Sequence, residues 1–192
     1  MEPTASEGGA SERRPFSGEI RTLQESDLDH IKPILETWLI HRDTGQPATE
    51  EVEEDLDIMR GSLTGENSRK YFVAEEGGKV LGVIGITPPR EAMMPFATTE
   101  HPIELVNAYV SRDERAGRGV GTALVKGAEN EARAQGATEL ILNSGPRYEQ
   151  TAWGFYDRLP GYSRIGVAEN FYGEGVSPPV WSKKLGPPAS TS

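Results

Sequence analysis

The fold is decided by the stretch Val110-Ser111-Arg112-Asp113-Glu114-Arg115-Ala116-Gly117-Arg118-Gly119-Val120-Gly121-Thr122-Ala123-Leu124. An apolar strand end leads here through a glycine-rich turn into a helix of small residues. Glycine lets successive backbone N–H groups converge without a Cβ between them, and the unpaired N–H groups at a helix start attract anions. The stretch therefore predicts a phosphate-binding loop, and the charges of Arg115 and Arg118 would add to it.

Two familiar phosphate loops do not fit this stretch. A Walker loop ends in Gly-Lys followed by Ser or Thr, and a dinucleotide fingerprint has a third glycine three residues after its second. Here Gly121 is followed by Thr122, Ala123 and Leu124. A helix that simply starts after a glycine turn remains the alternative interpretation.

Length and composition predict one α/β domain between two tails. The chain has 192 residues, enough for a single core. Residues 1–17 and 186–192 are nearly devoid of apolar side chains, so we expect disordered tails around a domain at 18–185. No run approaches the 18 apolar residues of a membrane span and no signal layout is evident, which predicts a cytoplasmic protein without membrane contact.

Charge and cysteine content exclude several functions. The formal charge of −10 argues against nucleic acid as a partner and suits a cationic substrate, although an acidic surface also serves solubility. The chain contains no cysteine, which excludes a cysteine nucleophile and thiolate metal ligands. The three histidines are too scattered for a ligand motif, so we predict no metal site.

Periodicity and turn residues give an alternating order of elements. The predicted strands are 19–23, 71–75, 80–87, 103–110, 139–143, 165–172 and 180–184, and the predicted helices are one capped by Ser26, then 49–60, 121–135 and 149–159. The acidic run from Glu50 to Asp55 is interpreted as a solvated helix face near a positive helix start, in preference to a polyamine-binding patch. The apolar residues of loop 88–102 line a substrate pocket or fold beneath the loop itself.

Two motifs resemble the GNAT superfamily of acyl-CoA-dependent N-acyltransferases. Arg118-Gly119-Val120-Gly121 matches the second half of its pyrophosphate loop, with Arg115 one position early, and Ala152–Tyr162 is similar to its Phe-Tyr…Leu-Gly-Phe segment, with Pro160 inserted. The order of elements agrees with this family. The resemblance implies an α/β (α+β) fold in which about four helices flank a single mixed, mostly antiparallel sheet, and a homodimer is also common in the family.

The resemblance further implies that acetyl-CoA is the co-substrate. Its pyrophosphate would bind the loop, and its pantetheine arm would bind backbone groups at the end of the 103–110 strand. The predicted cofactor-binding residues are Tyr109, Val110, Arg115, Gly117, Arg118, Gly119, Val120, Gly121, Thr122 and Asn143. Asn143 is polar at the end of an apolar strand, where a strand-end cap is an equal interpretation.

Two residues are candidates for catalysis. Tyr156 matches the family tyrosine that assists the departing thiolate, with a core aromatic as the alternative. Glu104 lies six residues before Val110, the spacing of the glutamate base in the histone-acetyltransferase branch; a structural or substrate-binding carboxylate is the alternative. In a regular strand Glu104 and Val110 share a face that excludes Asn107, unless a bulge intervenes.

We therefore expect an N-acetyltransferase in which a primary amine attacks acetyl-CoA directly in a ternary complex. A non-catalytic acyl-CoA sensor of the same fold is the second hypothesis, and a nucleotide-phosphate binder is the third. Arg147 follows the 139–143 strand and is a candidate contact for an acidic group, or part of an exposed turn. The sequence leaves the amine open, whether a small molecule or a peptide.

Overall fold

The computed structural model describes residues 14–114 and 117–187. Within these ranges one sheet is flanked by four α-helices and several short helical turns. The strands are β1 (Glu19–Thr22), β2 (Lys70–Glu76), β3 (Lys79–Thr87), β4 (Pro102–Val110), β5 (Glu139–Asn143), β6 (Ser163–Val167) and β7 (Pro179–Lys184). The helices are α1 (Leu28–Trp38), α2 (Thr49–Thr64), α3 (Val120–Ala134) and α4 (Gly154–Arg158).

The sheet has the strand order β1-β2-β3-β4-β5-β7-β6. Only β4 and β5 run parallel, and every other neighbouring pair is antiparallel. One core lies between the sheet and α3 with α4, and a second lies between the sheet and α1 with α2. The prediction of a single mixed, mostly antiparallel sheet flanked by about four helices is confirmed.

The two parallel strands separate near the middle of the sheet. Pairing between β4 and β5 begins at Pro102–Glu139 and stops after Glu104–Ile141. The rest of β4 continues to Val110 along β3 only. A wedge therefore opens between β4 and β5 beyond Glu104, and it points toward the glycine loop that follows β4.

A bulge twists β4 inside this wedge. Its pairing with β3 shifts between Val83–Tyr109 and Gly85–Val106, and Asn107 has a left-handed φ of 49°. As a result Leu105 and Ala108 both pack on the α3 side although they are three residues apart, whereas Tyr109 packs toward α1 and α2. The strand pattern allowed for such a bulge. Because of it, the side chains of Glu104 and Val110 lie on opposite faces of β4.

Two local predictions were wrong. Ser26 does not cap α1, because a 3-10 turn over Glu25–Asp27 comes first and its capping box uses Gln24 and Asp27. The strand predicted over 165–172 is displaced, since β6 ends at Val167. For loop 88–102 two interpretations were open, and here a 3-10 turn over Glu91–Phe96 buries Met93 in a small cluster on β5 and β7.

The first described residues, at the end of the predicted N-terminal tail, contact the domain. The Phe16 amide donates to the Arg118 carbonyl at 2.8 Å. The Ser17 amide donates to Glu76 Oε1 at 2.9 Å. This short segment therefore connects the glycine loop with the end of β2.

We expect Gly85→Ala to destabilise the fold. A Cβ at this central position of β3 would lie 2.5 Å from Tyr71 Cε1 and 3.0 Å from Val106 Cγ2, and the Tyr71 hydroxyl is fixed by a 2.8 Å bond to Asn107 Oδ1. Such overpacking costs about 1–3 kcal/mol, measurable by urea unfolding. Gly186→Ala is the control, because no atom of the described residues lies within 4 Å of its Cβ position. Equal stability of the two variants would contradict the packing argument.

Candidate active site

The glycine loop leads into a helix start with open space beside its two left-handed glycines. Gly117 and Gly119 have φ of 85° and 81°, and no atom of the described residues lies within 4 Å of the Cβ position of either, whereas the Phe155 ring lies 3.2 Å from that of Gly121. Val120 begins α3 with its side chain buried. The amides of Val120, Gly121 and Thr122 belong to the first helical turn, which has no intrahelical acceptors. The loop thus offers backbone donors to an anion; Arg115 lies outside the described residues.

Arg118 is paired with two carboxylates. Its guanidinium donates to Glu76 and Glu114, and the Nη1–Oε2 distance to Glu114 is 2.5 Å. Its Nε donates to the Arg14 carbonyl at 2.8 Å. The hydrogen bond from Arg118 holds the pKa of Glu76 at about 2. The backbone amides, more than the Arg118 charge, are therefore the loop's available anion ligands in this conformation.

Val110 directs its backbone groups toward the wedge. The Ser111 amide donates to the Leu81 carbonyl at 2.8 Å, and Val110 lies opposite Gly82. Hydrogen-bonded pairs alternate along antiparallel strands, so the Val110 amide and carbonyl point away from β3. The Val110 carbonyl accepts a 2.7 Å hydrogen bond from Trp38 Nε1. The backbone amide and carbonyl of Tyr109, by contrast, point toward β3.

Tyr156 lies in the α3-side core beside the wedge. Its ring is buried and lies 5.3 Å from that of Trp181. Burial raises the pKa of Tyr156, and the charges of Tyr172 and Tyr148 raise it further. Tyr156 therefore stays a neutral phenol at physiological pH.

Glu104 forms a buried ion pair with Arg90. Its side chain is completely buried, and its carboxylate accepts from the Arg90 amide at 2.9 Å, from Nε at 3.0 Å and from Nη2 at 2.5 Å. The Arg90 guanidinium also lies 4.6 Å from the Phe171 ring centroid. The pair therefore joins β4 to the loop after β3 and to the segment after β6.

Asn143 is held at the end of β5 by two contacts. Its Oδ1 accepts from the Tyr172 hydroxyl at 2.7 Å, and its Nδ2 lies 3.3 Å from Met93 Sδ. Through these contacts the Asn143 side chain connects the end of β5 to the loop that carries Met93 and to the segment that carries Tyr172. Its predicted contact with the cofactor remains a prediction.

A polar cluster on the other side of β4 was not predicted. Asp55 of α2 accepts from Asn107 Nδ2 at 3.1 Å and from the Tyr109 hydroxyl at 3.4 Å, both at Oδ2. Tyr71 and Arg69 donate to Asn107 Oδ1 at 2.8 and 3.1 Å, which fixes the amide orientation. Burial raises the pKa of Asp55 to about 6.

Aromatic rings adjoin this cluster. Tyr148 lies 6.4 Å from Trp38 and 6.3 Å from Tyr109, both edge to face. Arg147 binds Glu51 of α2 through two hydrogen bonds of 2.9 Å, which holds the turn that carries Tyr148 against α2. Arg147 therefore does contact an acidic group, but within the chain.

Neither a membrane-spanning helix nor a metal-binding cluster is found among the described residues. No helix in residues 14–114 and 117–187 is long and apolar enough to cross a membrane. No group of three or more His, Cys, Asp or Glu side chains in the same ranges could hold a metal ion.

The comparison with protein families agrees with this geometry. The model of the acetyltransferase (GNAT) family matches residues 33–162, from α1 to the end of the segment that contains Tyr156. The chain belongs to the GNAT family.

Several known proteins are similar to this chain. N-acetyltransferase family 8 member 2 of Rattus norvegicus is 27% identical over 145 residues, covering 70% of this chain and 61% of that protein. The chain thus spans about three fifths of the length of this relative. The solved aminoglycoside 6′-N-acetyltransferase with coenzyme A has a TM-score of 0.62 at 19% identity, covering 90% of this chain and 99% of that one. The PaiA N-acetyltransferase of Thermoplasma acidophilum with coenzyme A has a TM-score of 0.60 at 18% identity, covering 88% and 99%.

The acidic run of this GNAT chain was only partly a solvated face. Glu50, Glu53 and Glu54 are exposed, but Asp55 reaches the bulge in β4 and Glu51 binds Arg147. Glu51 and Asp55 are four residues apart and share one helix face. That spacing, with buried Val52 and Leu56 beside it, is the signal that sequence reasoning missed.

We expect Asp55→Asn to stabilise this chain at pH 8. Because burial raises the pKa of Asp55 from 3.8 to about 6, the native state disfavours the carboxylate above pH 6, and removal of the charge should gain on the order of 1–2 kcal/mol. The gain should shrink between pH 6 and pH 4, because the native-state acid becomes protonated there, and it should vanish only below the unfolded-state pKa of 3.8. Urea unfolding at pH 8 and pH 4 measures it; a loss of stability at pH 8 would contradict this account.

Proposed function

We propose that this chain is an N-acetyltransferase that moves an acetyl group from acetyl-CoA to a primary amine within a ternary complex. The observation that carries the proposal is the wedge between β4 and β5, which opens beside the glycine loop at the start of α3. Family membership and the N-acetyltransferase names of the relatives support it. The coenzyme A bound in two solved relatives of the same fold supports the choice of co-substrate.

The pyrophosphate of acetyl-CoA would bind the amides from Gly117 to Thr122. Positive partial charge at a helix start favours this anion without any side-chain charge. The pantetheine arm would extend along the unpaired part of β4, where the Val110 amide can donate to it or to the thioester carbonyl. Arg118 would contribute once the phosphate competes with Glu76 and Glu114 for its guanidinium.

The chemistry requires a neutral amine and a stabilised leaving group. The amine nitrogen attacks the thioester carbon, the C–N bond forms, the C–S bond breaks, and the sulfur finally receives a proton. Because the pKa of Tyr156 is raised, full proton transfer from this phenol to a thiolate of ordinary pKa near 8.5 is uphill. We assign Tyr156 a hydrogen bond to the sulfur.

The role proposed for Glu104 follows from its pairing. A carboxylate whose oxygens accept three hydrogen bonds from Arg90 must weaken them before it takes a proton. We therefore assign Glu104 to positioning the loop after β3, and we assign removal of the amine proton to water. The alternative from the sequence, Glu104 as the general base, gives a different result in the variants described below.

A thiol-release assay tests the function directly. Purified protein is mixed with acetyl-CoA and with alkylamines, polyamines, aminoglycosides or peptides, and free coenzyme A is followed with a thiol reagent. The chain has no cysteine to react with the reagent. Amine-dependent release establishes the transferase; coenzyme A binding without release for every amine would favour the sensor, and nucleotide binding that displaces coenzyme A would favour a nucleotide-phosphate binder.

We expect Tyr156→Phe to lower kcat about a hundredfold, the usual loss when one hydrogen-bond donor to a developing negative charge is removed, with little change in coenzyme A affinity. Tyr162→Phe is the matched control, because it removes another buried phenol whose hydroxyl binds Glu129 at 3.0 Å, away from the wedge. Steady-state kinetics and calorimetric titration measure the two effects. Unchanged kcat in Tyr156→Phe would remove this residue from the reaction.

Glu104→Gln and Arg90→Gln distinguish positioning from base catalysis. Each breaks the same ion pair, but only the first removes the carboxylate. If Glu104 positions the loop, both variants should lose activity. Arg90→Gln should lose the more stability, about 3–5 kcal/mol, because it leaves the completely buried Glu104 carboxylate unpaired while Arg90 is partly exposed. If Arg90→Gln keeps the wild-type rate while Glu104→Gln loses it, Glu104 is the base and the positioning role is refuted.

A further inference from the structure

The peptide unit between Val110 and Ser111 is held from both of its sides. The Ser111 amide donates to the Leu81 carbonyl of β3 at 2.8 Å. The Val110 carbonyl accepts from Trp38 Nε1 of α1 at 2.7 Å. Because a peptide unit is planar, hydrogen bonds to its N–H and to its C=O together fix its rotation about the chain. The orientation of this unit, at the end of β4, is therefore set by β3 and by α1.

Trp38 holds Val110 on the side where β4 has left its parallel neighbour. Pairing between β4 and β5 ends at Glu104–Ile141, whereas pairing between β4 and β3 continues to Val110. The indole N–H supplies to the Val110 carbonyl the kind of donor that an amide of β5 would supply if the two strands stayed together. The wedge thus keeps a fixed border on β4 without a second strand.

Trp38 is itself fixed by a return contact from the segment after β4. Arg112 lies two residues after Val110, and its guanidinium lies 4.5 Å from the centroid of the Trp38 ring. Its Nε and Nη2 donate to the Thr37 carbonyl at 3.0 and 2.7 Å. Thr37 is in the last turn of α1, where carbonyls accept from groups outside the helix and a cation is favoured. The end of α1 and the end of β4 therefore bind each other in both directions.

The indole has little freedom to leave the Val110 carbonyl. The Trp38 side chain belongs to the core between the sheet and α1 with α2, and the residue is 9% exposed. The Tyr148 ring packs against it edge to face at 6.4 Å. In a close-packed core a ring of this size cannot turn without moving its neighbours. The hydrogen bond to Val110 is therefore a fixed feature of the fold.

We propose that Trp38 is a positioning residue for acetyl transfer, which keeps the Val110 amide directed at the thioester carbonyl of acetyl-CoA. This inference rests on the proposed function, in which that amide donates to the pantetheine arm or to the thioester. The amide and carbonyl of one strand residue point to the same side, so fixing the Val110 carbonyl also fixes the direction of its amide. A donor stabilises a developing oxyanion only if it is in place before the reaction. Trp38 acts through Val110, and Arg112 acts through Trp38.

A carbon-13 NMR measurement tests the proposal without turnover. Acetyl-CoA labelled at its carbonyl carbon is bound to the full chain in the absence of an amine. A hydrogen bond to the carbonyl oxygen moves this resonance downfield of its position in free acetyl-CoA. We expect that shift in wild type and a smaller one in Trp38→Phe, which keeps an aromatic ring but has no indole N–H. Trp153→Phe is the matched control and should keep the wild-type shift, because its indole N–H donates to a different backbone carbonyl, that of Ser144, at 3.0 Å.

Kinetics provide a second readout. We expect Trp38→Phe to lower kcat about tenfold, less than the roughly hundredfold loss when such a donor is removed altogether, because the Val110 amide is misdirected and not absent. Coenzyme A affinity should stay unchanged, since the glycine loop keeps its amides. Arg112→Lys should act in the same direction but less strongly, because lysine retains the charge and lacks the fork that binds the Thr37 carbonyl twice.

Two results would overturn the inference. One is a wild-type carbonyl shift together with a wild-type kcat in folded Trp38→Phe, which would leave Trp38 a core residue only. The other is acetyl-CoA bound to wild type without a downfield shift. If Trp38→Phe does not fold, β-(3-benzothienyl)alanine at position 38 gives the same test, because it keeps the shape of the ring and lacks only the N–H.

The proposed function fails by different results. Absence of acetyl-CoA binding, or binding without amine-dependent release of coenzyme A, refutes the transferase whatever Trp38 does. Conversely, a transferase whose rate and carbonyl shift ignore the Trp38 indole N–H keeps the proposed function and loses only this inference.

Discussion

The separation of β4 from β5 after the Glu104–Ile141 pair is the constraint on which the site depends. Parallel pairing up to that point holds the two strands together, and the bulge at Asn107 then turns β4 so that its two faces serve different purposes. One face, with Ala108 and Val110, faces α3 and the glycine loop. The other carries Asn107 and Tyr109 toward Asp55 of α2.

Ion pairs and a hydrogen bond from Trp38 connect the segments around the wedge between β4 and β5. Glu104 and Arg90 connect β4 to the loop after β3, while Glu51 and Arg147 connect α2 to the turn after β5. Trp38 joins α1 to the end of β4. Each contact therefore connects β4 or α2 to a segment next to the point where β4 and β5 separate. The buried charge at Glu104 is better explained by this positioning role than by stability, since a buried ion pair contributes little net free energy.

The sequence predicted the architecture because its signals are local. The glycine loop, the β2–β3 turn and the apolar strands follow rules of backbone conformation and periodicity, and these elements lie close to the predicted bounds. The polar cluster around Asp55 was missed for a physical reason. Asp55 acquires its environment only when α2 packs on the β4 bulge, and a left-handed Asn107 has no distinctive signature in a strand pattern. Likewise the pairing of Glu104 depends on Arg90, fourteen residues away in a loop without periodicity.

A crystal structure of the full chain with coenzyme A is the most direct test of the central claim. The account predicts that the pyrophosphate contacts the backbone amides at Gly117–Thr122 and that the pantetheine arm lies between β4 and β5, bonded to Val110. Coenzyme A bound elsewhere, or a β5 strand that closes against β4 beyond Glu104, would contradict it.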